Sequence, residues 1–441
     1  MVDIAEQGIV ASAAQQDSVV FESDFSPRKL KIATGILIGQ SFATSILPFS
    51  AVGLLLIPLT TEFHWTRTEY SFGTAFLFFF GAVSLWPIGR IADRFGTKPV
   101  ILFGTTVVGL ITLAMSAQTK SLPQLYIYYA LLGIFGSTGV AYSKMIAGLF
   151  TQNRGKAMAI LGAESTVAMA FVPLVANALM LHYGWRVMYL AFGALILVIV
   201  PILFFLLEEP VPPNAPSRTV GDRAAPAPQV EGMTIGEALR DRVFWLITFN
   251  ALLGLVIFIG MSSHMVAALI GKGFSQTTAV GMTSVAMLTG LGGTIVGGIL
   301  VDRFHTAKVA VPFALASAVG AVLLLFVTSK WGGVPMLVVA VALGGFAFAA
   351  ARPMGTYFQT RFFGLKSFTE ILAVQFTFTN IITSAAAPLV GLIYDRTHSY
   401  QLVFVLMIVV PLISAIIWLI LPKYRYAATI GQSAAPGSAK G

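Results

Sequence analysis

The sequence predicts an all-α, polytopic membrane protein with twelve transmembrane helices in two pseudo-symmetric six-helix bundles. Of its 441 residues, 57% are hydrophobic and only 10% are charged, and the mean hydropathy is +0.85. A soluble protein of that composition would expose large apolar patches, so the composition favours many membrane spans. A polar turn also occurs twice, as "GRIADRFGTK" at 89–98 and "GGILVDRFHTAK" at 297–308, which indicates two related halves.

Twelve stretches along the chain are long and apolar enough to cross a bilayer as helices, which takes about 20 residues each. We number them spans 1 to 12. They cover residues 31–59, 68–92, 99–118, 122–150, 155–181, 185–207, 242–271, 275–301, 309–329, 333–358, 367–394 and 401–421.

The segments outside the spans are polar and define the domains. Residues 1–29 lack the pattern of a cleavable signal, and the residues from Glu208 to Gly232 are rich in proline, alanine and charge, as linkers are. We therefore expect a cytoplasmic tail at 1–29, a bundle at 30–207, a cytoplasmic linker at 208–241, a second bundle at 242–421 and a second tail at 422–441.

Lysine and arginine are unevenly distributed between the two sides of the predicted membrane. With the N-terminus inside, 19 of them lie on the cytoplasmic side and six on the other. Because basic loops stay in the cytoplasm, we expect both termini inside the cell, in a multi-pass protein of the cell (inner) membrane. The net charge of +9 is then explained by topology, and the expected partner is the lipid bilayer rather than a nucleic acid.

The residue inventory argues against an enzyme. The chain has no cysteine, which excludes disulfides, thiolate metal sites and cysteine nucleophiles. No metal-binding cluster or nucleophile–base pair stands out, and no phosphate-binding G-x-x-x-x-G-K-[ST] loop occurs. The five histidines are scattered, at positions 64, 182, 264, 305 and 398. We expect no cofactor and no metal.

Three matching stretches indicate a duplication. Asp93 and Asp302 are 209 residues apart, and each follows a glycine four residues earlier and precedes Arg-Phe. The stretch "KMIAGLF" at 144–150 matches "RPMGTYF" at 352–358, and "PLV" recurs in spans 5 and 11. Stretches in the same order at nearly one offset indicate internal repeats, and two parallel six-span repeats are a known plan of secondary transporters.

The loop after span 2 resembles the signature loop of the major facilitator superfamily, G-x-x-x-D-R-x-G-x-K. The first copy matches at Gly89, Asp93, Arg94, Gly96 and Lys98, and the second keeps Gly298, Asp302 and Arg303 but has His305 in place of the glycine. Residues 61–96, "HYGWRVMYLAFG" and "SSHMVAALIGKGFSQTTA" are similar to the monocarboxylate-transporter branch and its bacterial relatives. Two features of that branch are missing: span 1 has no lysine, and Thr294 stands where an arginine is usual.

The two copies of this loop are expected to act as gates, through Asp93, Arg94, Asp302 and Arg303. We expect Asp93 to face the N-terminal end of a helix in the other half, span 11, whose dipole favours an anion there. That contact would hold the cytoplasmic side shut in one state and break in the other. The alternative is a turn that marks topology only. Gly96 is expected to take a positive φ in this turn.

Two cations inside spans point to an anionic substrate. Lys144 in span 4 and Arg352 in span 10 are equivalent in the repeat, and the resemblance implies that spans 1, 4, 7 and 10 line a central cavity. Arg352 would then hold a carboxylate through two hydrogen bonds, and Lys144 would add a point charge from the opposite half. The alternative is that both side chains snorkel to the headgroups.

Two further ionisable residues are candidates for proton coupling. Glu164 lies near the middle of span 5, where it either carries the coupling proton or pairs with Lys144. His264 lies near the outer end of span 7, where it serves proton-linked gating or is a satisfied interfacial residue. Glu370 is expected to be a dipole partner at the start of span 11.

Neutral polar side chains inside the spans are expected to orient the substrate in a mostly apolar pocket. The alternative is that they bond helices to one another. The candidates are Gln40, Tyr142, Asn250 and Asn380, with Ser41 and Gln375 beside them.

These features together predict a secondary active transporter. We expect it to move a small organic anion, a mono- or dicarboxylate, by alternating access in symport with a proton, and to act as a monomer. The alternative is a proton-driven exporter of drug-like or cationic compounds, which would depend on Glu164 and would not need Arg352.

Overall fold

The computed structural model is almost entirely helical in the residues that it describes, which are 26–42, 46–149, 154–209, 232–364 and 366–426. No β-strand occurs within these ranges. The apolar runs between the short polar turns lie in the bilayer, where no water is available to the backbone. Each N–H group there bonds to a carbonyl of its own segment, which an α-helix allows. The predicted all-α, polytopic fold is confirmed.

The helices of the N-terminal half follow the predicted spans. Span 1 is formed by Pro27–Phe42, Ile46–Ser50 and Val52–Phe63, span 2 by Arg67–Phe95, span 3 by Thr97–Met115, span 4 by Leu122–Gly136 and Gly139–Leu149, and spans 5 and 6 by Arg154–Leu206.

The C-terminal half repeats this order. Span 7 is formed by Arg242–Ser262 and Met265–Gly271, span 8 by Gln276–Phe304, span 9 by the 3-10 turn Ala307–Ala310 and Val311–Phe326, span 10 by Gly333–Phe363, span 11 by Phe368–Thr383 and Ala386–Thr397, and span 12 by Gln401–Ile420.

Spans 5 and 6 are continuous in the chain, and this affects the count of membrane helices. In the described part of the chain, eleven helices are long and apolar enough to cross a membrane, and the longest of them is Thr166–Leu206, of 41 residues. Its backbone leaves helical geometry at Gly184, with φ of 84°, which lies between the two predicted spans. The predicted number of twelve therefore depends on counting this helix as two.

The predicted linker 208–241 contains more structure than expected at its C-terminal end. Residues Ile235–Arg240 form a short helix, in which Thr234 and Glu237 make a reciprocal capping box. Ala238 of this helix is fully buried, so the end of the linker packs onto the C-terminal half.

Three buried apolar clusters show how the halves are arranged. We call the end of the molecule that holds Pro27 and Leu421 the inner end and the opposite end the outer end, after the predicted orientation. The largest cluster contains side chains of both halves and reaches the outer turns. Toward the inner end there are two separate clusters, one within each half. The halves therefore share a core near the outer end and have their own cores near the inner end.

The turn between spans 2 and 3 has the geometry that its glycine predicts. Gly96 has a φ of 94°, in the region that glycine adopts at no steric cost. In the second copy of the motif, His305 ends span 8 with a φ of 44°. The second turn thus keeps a left-handed residue although the glycine is missing.

Candidate functional site

Polar side chains of the N-terminal half meet where spans 1, 4 and 5 come together. Ser41 donates a hydrogen bond to the carboxylate of Glu164, which links span 1 to span 5. Tyr142 of span 4 is fully buried, and its hydroxyl lies directly against Gly39, where any side chain would collide with it. A glycine at position 39 therefore makes room for the tyrosine.

Gln40 belongs to the same group of polar residues. Its amide faces the backbone of span 4 at Gly139, where an added Cβ atom would lie 3.7 Å from Nε2 of Gln40. The fold thus brings together two of the predicted substrate residues, Gln40 and Tyr142, and the predicted proton site Glu164. We call Gln40, Ser41, Tyr142 and Glu164 the polar cluster.

Two of the three predicted polar residues of the C-terminal half, Gln375 and Asn380, have hydrogen-bond partners within that half. Asn250 is buried in span 7. Gln359 of span 10 donates to Gln375 of span 11, so Gln375 bonds two helices. Asn380 donates to the carbonyl of Phe376 in its own helix, at 2.8 Å. In this conformation the side chain of Gln375 therefore bonds span 11 to span 10, and that of Asn380 bonds to the backbone of its own helix.

Lys144 pairs with Asp93 of the signature loop. Both side chains are substantially exposed, at 47% and 67%. The alternative pairing of Lys144 with Glu164 is wrong for this conformation, because the long side chain reaches the polar loop at the inner end. Arg352 lies in the helix of span 10, and its side chain is outside the described residues.

The residues predicted to act as gates lie at the inner end. Arg94, Asp302 and Arg303 are exposed, and Asp93 contacts its own half instead of span 11. At the start of span 11, Ser367 makes no capping hydrogen bond through its side chain, and Glu370 lies in the first turn as predicted. In the described residues, Ser367 thus does not cap the first turn of span 11, and Asp93 is held by Lys144.

A carboxylate from the linker caps span 3 beside this loop. Glu209 accepts hydrogen bonds from the backbone N–H groups of Thr97 and Lys98, at 2.6 and 2.8 Å. These are first-turn donors without a partner inside their helix. The beginning of the linker is therefore fastened to the N-terminal half.

At the outer end, a carboxylate of the C-terminal half caps a helix of the N-terminal half. Asp395, near the end of span 11, accepts from the backbone N–H groups of Arg67 and Thr68 at the start of span 2, at 3.1 and 2.8 Å. The hydroxyl of Thr68 donates to the same carboxylate at 2.6 Å. Gly391, one turn earlier, allows this close approach, since a Cβ there would lie 2.8 Å from the backbone of Thr68.

Arg67 strengthens this contact through aromatic rings of the C-terminal half. Its guanidinium lies 3.5 Å from the centre of the Tyr394 ring, a cation–π geometry. It also donates to the hydroxyl of Tyr400. An arginine of one half is thus enclosed by two tyrosines of the other.

His264 lies beneath this contact and is completely buried. Its Nδ1 is 2.9 Å from the Tyr400 hydroxyl, and its Nε2 is 3.0 Å from the Ser71 hydroxyl and 3.1 Å from the Ala387 carbonyl. The histidine therefore joins span 7 to span 2 across the two halves. We use the name outer seal for the set Arg67, Thr68, Ser71, His264, Asp395 and Tyr400.

A second, uncharged contact joins the halves at the outer end. Gln276 of span 8 donates to Asn177 of span 5 at 2.8 Å, and Ser284 donates to the carbonyl of Ala170. At the inner end, the ion pairs of the described residues stay within one half, as in Arg28–Glu208 and Arg425–Asp241. The conformation is closed at the outer end and separated toward the inner end.

The sequence contained an overlooked signal for the outer seal. The stretch "GLIYDR" ends at Arg396 and repeats the spacing G-x-x-x-D-R, with Gly391 four residues before Asp395. It ends span 11 at the outer face, whereas the two recognised copies end spans 2 and 8 at the inner face. The missed residues Arg67 and Tyr400 lie at helix starts, where no repeated pattern singles them out.

The sequence profile of the Major Facilitator Superfamily matches residues 38–332 and 273–439 of this chain. The uncharacterized MFS-type transporter YcxA of Bacillus subtilis is 20% identical over 389 residues, which is 83% of this chain and 88% of that protein. The gallate transporter of Pseudomonas putida is 27% identical over 304 residues, or 62% of this chain and 65% of that protein. The multidrug resistance protein MdtL of Salmonella is 25% identical over 142 residues, or 32% of this chain and 35% of that protein.

Solved structures share the fold. A bacterial homolog to the human lysosomal transporter Spinster, in an inward-facing and occupied conformation, superposes with a TM-score of 0.71 at 15% identity and covers 89% of this chain and 97% of its own. The nucleoside transporter NupG gives a TM-score of 0.70 at 16% identity and covers 88% and 99%. At such identities the likeness shows the fold alone.

Proposed function

Because this chain belongs to the Major Facilitator Superfamily, we propose that it is a secondary active transporter that moves a small organic acid, as its carboxylate anion, in symport with a proton. The observation that carries the transport proposal is the arrangement of the cores. One apolar cluster joins the halves near the outer end, and each half keeps its own cluster near the inner end. Two rigid halves with one shared contact region suit alternating access.

The substrate class is supported by the gallate transporter, the relative with the higher identity of those described above. Gallate is an aromatic carboxylate, so a related pocket would need a cationic partner and hydrogen-bonding groups. In our proposal Arg352 supplies the bidentate cation from span 10, and Lys144 supplies a second charge when it leaves Asp93. Gln40 and Tyr142 of the polar cluster orient the rest of the molecule, with Asn250 and Asn380 from the other half.

The coupling proton is assigned to two candidate groups. Glu164 lies in the polar cluster beside Ser41, so it is near the groups proposed to hold the substrate. His264 lies in the outer seal between the two halves. An ionisable residue inside a membrane span is expensive and marks a proton or ion pathway by default.

The gates and the topology complete the proposal. Asp93, Arg94, Asp302 and Arg303 are exposed at the inner end, and in our proposal they meet the opposite half when that end closes, with Asp93 leaving Lys144. We propose that this end faces the cytoplasm with both termini, because it carries most of the basic residues. The polypeptide is proposed to work as a monomer, with its own two halves forming the pathway.

The second candidate function is proton-driven export of drug-like or cationic compounds. The observation that favours it is the similarity to MdtL, which covers a third of this chain. In that case Glu164 would bind the cation or the proton, and Arg352 would be dispensable.

Uptake into proteoliposomes under an imposed pH gradient tests the proposal. With the full-length protein, we expect accumulation of gallate or a related carboxylate that collapses when a protonophore removes the gradient. Arg352→Lys keeps the charge but loses the bidentate geometry, so we expect at least tenfold weaker apparent affinity, whereas Arg240→Lys at the exposed inner surface leaves uptake unchanged. Efflux of lipophilic cations with no carboxylate uptake would overturn the proposal in favour of the exporter.

A further inference from the structure

The hydrogen bonds around His264 define its tautomer. The carbonyl oxygen of Ala387 can only accept, so Nε2 of His264, 3.1 Å away, carries the hydrogen. The hydroxyl of Ser71 donates its hydrogen to the carbonyl of Arg67 at 2.7 Å. Its oxygen therefore acts as an acceptor toward Nε2 of His264. The remaining nitrogen, Nδ1, then accepts from the hydroxyl of Tyr400 at 2.9 Å. A neutral imidazole satisfies every one of these contacts.

A second proton on His264 would break this pattern. It would point from Nδ1 to the Tyr400 oxygen, which already accepts a hydrogen bond from Arg67. The Tyr400 hydroxyl would then have to turn its own hydrogen away, and two cations would share one oxygen. Burying such an uncompensated charge is costly, so the closed seal selects the neutral histidine.

In the described part of the chain, the carboxylates around the seal are already engaged with other groups. From span 11, Asp395 is taken up by span 2, as described above, and Tyr394 lies under Arg67. From span 2, Glu69 is engaged in the capping box with Thr66. On span 1, Glu62 accepts from Trp185 and pairs with Arg186.

We propose that His264 is the proton-binding site that couples opening of the outer seal to proton uptake. When the halves separate at the outer end, Ser71 and Arg67 leave with the N-terminal half, and the imidazole gains access to external water. The proton is taken from that side, and because the closed seal excludes a charged imidazole, the proton passes inward to Glu164 of the polar cluster before the seal recloses. This inference deepens the proposed function, on which it rests, by making His264 at the gate the first proton acceptor, ahead of Glu164.

Distance measurements between two spin labels test the inference without any substrate. The chain has no cysteine, so Lys120→Cys and Lys330→Cys place labels at exposed positions on the outer ends of the two halves. We call these the outer label pair. In full-length protein in lipid nanodiscs, lowering the pH from 8 to 5 is expected to increase the long-distance population at least fivefold.

The histidine variants decide the outcome. In His264→Gln the distance distribution should no longer depend on pH, whereas His182→Gln, which changes an exposed histidine at the same end, should respond like the unaltered protein. Glu164→Gln should also keep the response of the outer pair. A His264→Gln protein that still opens with falling pH would overturn the inference.

A second variant serves if His264→Gln does not fold. Tyr400→Phe removes the hydroxyl that donates to Nδ1, so the neutral imidazole loses one hydrogen bond, and the midpoint of opening should rise by about one pH unit. An unchanged midpoint would contradict the inference. Failure of the proposed function is separate, because it would appear as absent carboxylate uptake while the outer pair still responds to pH through His264.

Discussion

Asp93 and Asp395 share the spacing G-x-x-x-D-R but have different surroundings. Each follows a glycine by four residues and precedes an arginine, and each lies near the end of a membrane helix. Asp395 caps span 2 across the two halves, whereas Asp93 is 67% exposed and pairs with Lys144 of its own half. The difference teaches that the same spacing can place its carboxylate on a helix of the opposite half or on a lysine of its own half. We propose that the motif caps a helix of the opposite half at whichever end is closed.

The physical basis is the same at both ends. The first N–H groups of a helix have no partner within the helix, and the helix dipole favours an anion there. Span 2 obtains its anion from Asp395 in this conformation. Span 11 has no side-chain cap from Ser367 at its inner start, and this is the helix start that we expect Asp93 to cap when the inner ends meet.

The largest effect should come from filling the space that lets the helices approach. At Gly391 an added Cβ would lie 2.8 Å from backbone atoms of Thr68, which cannot move without shifting span 2. Gly391→Val should therefore disfavour the closed seal by about 3 kcal/mol. The outer label pair would measure this as a long distance at every pH. Gly281→Val, at a glycine with open space around its Cβ, is the control, and a short distance in Gly391→Val would contradict the account.

Removing the capping carboxylate should have the next largest effect. Asp395→Ala deletes the acceptor of two backbone N–H groups and one hydroxyl, which should cost the closed seal about 2 kcal/mol. The outer label pair should show a smaller shift for Asp395→Asn, which keeps an acceptor oxygen. Asp302→Ala, at the exposed inner copy of the motif, should leave the outer distance as it is. Equal effects of the Asp395 and Asp302 substitutions would show that the two ends do not differ.

The uncharged contact between spans 5 and 8 should matter less. Asn177→Ala removes the acceptor for Gln276 without removing a charge, so we expect a loss of about 1 kcal/mol from the closed seal. Because this contact shares no partner with Asp395, the effects of the two alanine substitutions should add. A strongly non-additive double variant, measured with the outer label pair, would indicate that the two contacts form one network.

The smallest effect on stability is expected at the inner end. The Asp93–Lys144 pair is exposed, and exposed pairs contribute less than about 1 kcal/mol. Asp93→Asn should therefore change the thermal unfolding midpoint in nanodiscs as little as Lys144→Gln does, while carboxylate uptake falls because the inner latch is lost. A large drop in the unfolding midpoint would mean that Asp93 has a structural role in this conformation.

The sequence predicted the fold well because bilayer thickness and apolar length define each span. The positions of the spans are confirmed in this way, and the positive φ of Gly96 is confirmed at the turn between spans 2 and 3. The division between spans 5 and 6 depends on less, since the single glycine Gly184 between two apolar runs determines whether one helix or two is present.

The candidate site was predictable only in part, because partners depend on conformation. The neighbourhood of Gln40, Tyr142 and Glu164 follows from the order of spans. The pairing of Lys144 with Asp93 instead of Glu164 does not, since a flexible side chain near a helix end has several acceptors within reach. The contact of Asp395 with span 2 depends on how the two halves meet. The order of the spans does not specify that arrangement, so the contact could not be predicted from it.

The most direct test of alternating access follows both ends of the molecule at once. One sample carries the outer label pair. A second sample carries an inner pair, Phe95→Cys and Phe304→Cys, at two exposed positions. Each distance is measured with and without Asp395→Ala. We predict opposite changes: the outer distance lengthens and the inner distance shortens as Asp93 reaches span 11. Two distances that lengthen together, or an inner distance that stays the same, would contradict the central claim.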